Sequence, residues 1–154
     1  RSLYNPTDTI TLKDVENLVI PISNPNLFTS IDAILAGNKK YALNSLIGLM
    51  NQGTPAQLII AILGKQIRTL ILIKSLINLG LPNKELIKRI PIGSYALQKL
   101  TRIQNKISLI SLQNMHKVLI DADYKTKTTN TQADLVIELV IIELSHYALS
   151  EAKP

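Results

Sequence analysis

Cysteine is absent from the 154 residues, and so is tryptophan. Without cysteine there can be no disulfide, thiolate metal site or cysteine nucleophile. Aromatic residues make up 4% of the chain, and it holds only 6 glycines and 7 prolines. That composition suits a many-turned β-sandwich poorly and a helical domain well. The glycines stand singly, so no glycine-rich phosphate loop is present and nucleotide binding by that route is excluded. The two histidines, His116 and His146, lie in different predicted helices with no second histidine or spaced carboxylate group beside them, whereas a metal site needs three or four convergent ligands. Asp121 and Asp123 are two apart and point in different directions on a helix, so they are not a catalytic pair. Hence no catalytic residue, cofactor site or metal ligand is assigned, and an enzyme is not expected. A clean membrane span is lacking too. Lys65, Arg68 and Lys74 interrupt the apolar run Leu58–Leu79, and each cation would cost about 2.5–3.5 kcal/mol at a bilayer centre. Leu135–Leu149 is too short and contains Glu138 and Glu143. The chain opens at Arg1 without a signal-peptide layout and reads as a piece of a longer protein.

What is present is aliphatic. Leucine and isoleucine fill 48 of 154 positions, while charged residues are only 18%. A chain of this length buries roughly two thirds of its unfolded surface, enough for one real core. Caps and stops mark the helices. Thr11 can cap a short one over Leu12–Ile20, and Pro21 and Pro25 then break the chain, which marks PISNPN as the best domain boundary. Leu27–Ala36 is stopped by Gly37, and Asn38 caps Lys39–Asn51. Thr54-Pro55 opens a long helix to about Leu79, near 37 Å at 1.5 Å per residue. Asn83 can cap Lys84–Ile90, Ser94 can cap Tyr95–Ile107, and Ser108 or Ser111 starts a helix to about Lys125. Thr126–Thr131 reads as a polar loop before a last helix, Gln132–Leu149. The expectation is an all-α bundle of about seven to eight helices.

The net charge of +6 is unevenly placed: residues 39–127 carry fourteen Lys and Arg against three acids, between two acidic ends. Such a basic middle fits a polyanion or an acidic partner, or packs beside the acidic ends. On the helix over Tyr95–Ile107, an apolar stripe of Ala96, Leu100, Ile103 and Ile107 is matched by Tyr95, Lys99, Arg102 and Lys106 on another face, both at spacing 4, 3, 4. An aromatic ring followed by cations can stack a base and track phosphates of single-stranded nucleic acid, and Lys88 and Arg89 can extend the strip. The alternative is a solvated basic face. Asp123 and Lys127 are placed for a structural i,i+4 ion pair. Glu138, inside an apolar run, is either a buried, paired acid or an exposed edge.

The order of these segments resembles the delta subunit of the bacterial DNA polymerase III clamp loader. The similarity runs through Thr11 and Val15; Phe28, Asp32, Ala33, Gly37 and Asn38; and Ala42, Leu43, Leu46 and Leu49. It continues through Gly53-Thr54-Pro55-Ala56, one residue tighter than the family pattern, then Arg68, then Asp123, Tyr124 and Lys127, and finally Leu135, Glu138 and Leu139. The glycine usual after the "D-Y-x-x-K" motif is missing; Thr128-Thr129-Asn130 follow instead. The resemblance implies that residues 1–25 end a helical lid and that residues 26–154 form a collar domain. It implies a cytoplasmic, non-catalytic role in DNA replication: the collar joins the other loader subunits in a ring, template DNA is a weak contact, and the sliding clamp is met only by an AAA+-like N-terminal domain. A stand-alone helical nucleic-acid-binding domain is the alternative. Neither reading requires a cofactor.

Overall fold

The computed structural model describes residues 25–90, 93–129 and 131–149, with the side chains of residues 25–28, 83, 84, 87 and 94–96 left aside. Seven helices lie among the described residues: α1 (Pro25–Leu35), α2 (Lys39–Asn51), α3 (Ala56–Asn78), α4 (Asn83–Arg89), α5 (Ser94–Gln104), α6 (Leu109–Thr128) and α7 (Ala133–Leu149). The described fold is all-α, with no strand in it. The expected helix Leu12–Ile20 and residues 1–24 of the expected lid segment lie outside the described residues. Pro25 was expected to break the chain within a linker; instead it is the first residue of α1. A proline fits there because its missing N–H has no partner in a first helical turn.

α3 is the central element. Ile59, Ile60, Leu63, Ile67, Leu70 and Ile73 along it are each at most 2% exposed. It packs most extensively against α6, also against α5, and touches α1, α4 and α7. α3 is long and apolar enough to cross a membrane by length and composition, but here its apolar residues form the centre of the bundle. α7 packs on α6 and returns to α1 and α2, closing the core from the other side.

The glycine stops are where periodicity placed them. Gly37 has φ +75°; its N–H donates to the Ile34 carbonyl at 3.0 Å and the Asn38 N–H to that of Ala33 at 2.8 Å. This paired closure needs the left-handed backbone that glycine adopts without strain. α3 closes in the same way at Gly80. Asn38 Oδ1 accepts the Tyr41 N–H at 3.2 Å and Ser108 Oγ accepts the Ser111 N–H at 3.0 Å, so both act as N-caps.

Three other expected caps are corrected. Pro55, Pro82 and Gly93 occupy the cap positions instead of Thr54, Asn83 and Ser94, each in extended backbone without a side-chain bond. Proline's ring fixes φ at a value compatible with that conformation, and glycine is itself a tolerated N-cap. α6 also runs three residues past the expected Lys125. Thr126, Thr128 and Thr129 hydroxyls donate to the carbonyls of Asp123, Tyr124 and Lys125 at 2.9, 2.8 and 2.7 Å. Their polar groups are thereby satisfied in and just beyond the last turn. α5 stops earlier than Ile107, at Gln104, although Ile107 is still buried.

Candidate nucleic-acid interface

α5 begins after Gly93 and lays Leu97, Leu100 and Gln104 into the core. That register turns the next row outward. Arg102 is exposed, Lys106 is exposed just past the helix end, and Lys99 is partly covered. Lys99 Nζ lies 2.6 Å from Asp32 Oδ2 of α1, both side chains about a third exposed. The row is therefore not uniform: Arg102 and Lys106 face solvent, whereas Lys99 is held by an acid. The side chain of Tyr95 lies outside those described.

A cavity of about 470 Å³ opens between α1 and α5 beside this row, with Leu35, Ala36 and Ile103 as an apolar floor and Arg102, Lys106 and the Asp32–Lys99 pair on its walls. An apolar floor beside exposed cations can accept a base and its phosphate. On α4, Arg89 is exposed, and Lys88 pairs with Glu85 at 3.2 Å, both well exposed. Residues 91 and 92, which join α4 to α5, lie outside those described.

Two cations and one acid prove to be internal fasteners: Lys99 with Asp32, and Lys74. Lys74 Nζ donates to the Gln104 carbonyl at 2.8 Å, a cation set on the closing end of α5. It ties α3 to α5 and satisfies a carbonyl at the end of that helix. Neither fastening is readable from sequence. The partners of Lys74 and Asp32 lie 30 and 67 positions away, so no local spacing shows them.

The remaining candidates are dispersed. Asp123 and Lys127 pair at 2.6 Å on α6. Arg68 on α3 is exposed and faces His116 on α6. Partial burial, and then the Arg68 charge, hold the His116 imidazole below its ordinary value of 6.5. Glu138 is exposed on α7, so the buried-acid alternative does not hold. Among the described residues no group of three or more histidines and acids could hold a metal ion.

The family described as "DNA polymerase III delta subunit, C-terminal domain" matches residues 24–144. Among solved structures, the Bacillus subtilis DNA clamp loader delta protein (YqeN) has a similar fold, with a TM-score of 0.74 at 23% identity. The match covers 89% of this chain and 40% of that one, so the chain spans well under half of that relative's length. No curated protein sequence matches.

Proposed function

Since the chain belongs to the family formed by the C-terminal domain of the DNA polymerase III delta subunit, we propose that it is the collar domain through which delta joins the clamp-loader ring. The domain is a non-catalytic region of that subunit, and its work is to hold neighbours in place while the loader places the sliding clamp on primed DNA. The lid assigned to residues 1–25 and the contact with the clamp belong to the same reading.

One observation carries it. α7 buries Val136, Ile137, Val140, Ile141 and Leu144, yet Leu135, Leu139 and Ile142 are exposed by 47, 45 and 45%. Their spacing of four and three puts them in line on one outer face. Single exposed aliphatic residues are ordinary, whereas a row on one helix suits a partner. Asp134, Glu138 and Glu143, all exposed, edge the row with negative charge, which favours a neighbour whose apolar helix is edged by lysine and arginine. The experiment is a pull-down of the full-length delta subunit with the other loader subunits. Leu139→Glu should abolish capture without lowering helix content; capture equal to the parent's would refute the reading.

A second component of the proposal is a weak template contact at the basic face of α5. Arg102 and Lys106, exposed beside the apolar-floored cavity, support it. Tyr95 is its proposed stacking residue, and Lys88 and Arg89 its extension.

A further inference from the structure

The most extensive helix pair in the fold, α3 with α6, has a hole in it. Gly64 sits in the interior of α3 and is buried. A Cβ built on it would meet no atom within 4 Å. Glycine inside a helix is less favourable than alanine, and its usual justification, close approach of a second backbone, does not apply here. Beside it lies an open notch of about 240 Å³, floored by the buried Ile60 and Leu119, flanked by the exposed Ile120 and rimmed by Arg68, His116 and the Asp123–Lys127 pair. That volume is below the roughly 300–1,000 Å³ of small-molecule sites and suits one or two side chains. The rim carries surplus positive charge: Asp123 is already held by Lys127, and among the described residues Arg68 has no acidic partner.

We propose that this notch receives an aliphatic side chain of a neighbouring clamp-loader protein, presented beside an aspartate or glutamate that pairs with Arg68. The proposal rests on the assembly reading of the domain, and it adds a contact at the α3–α6 pair to the one at the exposed row of α7. An apolar floor under a cationic rim selects this occupant over a nucleic-acid strand, whose phosphates would meet Asp123.

The test uses full-length delta titrated onto the remaining loader subunits. Gly64→Leu fills the notch from within and Arg68→Glu reverses its rim. Each is expected to weaken assembly at least tenfold with helix content and melting temperature retained. Should Gly64→Leu fail to fold, Ala61→Phe, on the exposed side of the notch, replaces it. Parental affinity in Arg68→Glu, or in a folded notch-filling variant, overturns the proposal. Loss on Leu139→Glu with no loss on the notch variants overturns the notch alone. A parent delta that binds none of the other loader proteins overturns both readings.

Discussion

Lys99 and Asp32, 67 positions apart, meet at 2.6 Å and join α5 to α1. The pair divides the basic row by role: a lysine already neutralised contributes little to a phosphate track. Removing Arg102 or Lys106 should lower the log–log salt slope of primed-template binding by about 0.7 each. Lys99→Ala should change that slope less and instead cost about 0–1 kcal/mol of stability, the range of partly exposed ion pairs. Salt titrations of the assembled loader with each variant, beside thermal melts, separate the two effects. A Lys99 slope change equal to that of Arg102 would reject the division.

Leu70 and Ile67 are 0% and 2% exposed at the centre of α3. Truncating either to alanine removes buried methyl groups and leaves a cavity, which should cost about 2–5 kcal/mol. Urea unfolding followed by circular dichroism measures this. Less than about 0.5 kcal/mol at both, the level of surface substitutions, would contradict the central place of α3.

His116 gives the domain a predictable acid response. Burial, and next Arg68, lower its folded pKa below the ordinary 6.5, so the unfolded chain takes up this proton first. The histidine's contribution to stability is then complete above about pH 6.5. It declines as the pH falls through the interval between the unfolded and folded values. Arg68→Ala should raise the His116 pKa and reduce the decline, as read from imidazole NMR titration and from melts across that interval. An unmoved pKa would show that Arg68 does not act on the ring.

Gly37→Ala meets two obstacles that can be told apart. The left-handed backbone costs an alanine about 1–2 kcal/mol. A Cβ would also stand 2.8 Å from Cδ2 of Leu149, the flexible tip of a side chain. In a Leu149→Ala background the second obstacle is gone. Thermal unfolding of the single and double variants should therefore show a smaller penalty for Gly37→Ala when Leu149 is absent, though still a clear one. A penalty equal in both backgrounds would place the whole cost in the backbone.

Helix identity was legible because it is written locally. Asn38 and Ser108 cap where their side chains predict, and Gly37 and Gly80 stop the helices they follow. Thr54, Asn83 and Ser94 misled because each helix starts one residue away from the expected position, with Pro55, Pro82 or Gly93 at the cap, and cap propensity alone does not fix a boundary to one residue. The threonines after Lys125 misled because their hydroxyls satisfied themselves on the helix's own carbonyls. Glu138 could not be placed from sequence, since α7 is aliphatic on its outer face as well as its inner one. The roles of Lys99 and Lys74 were not legible at all. Both depend on how separate helices dock, which no spacing along one helix encodes.

The return of α7 onto α1 and α2 has a consequence for biosynthesis. A chain made from its N-terminus exposes the aliphatic faces of α1, α2 and α3 long before residues 133–149 leave the ribosome. Until then one flank of the core faces water or whatever binds nascent apolar surface. The order of synthesis thus makes α7 the element that completes the described core. A ribosome stalled before α7 has emerged should display a chaperone client, and one stalled after it a protease-resistant domain.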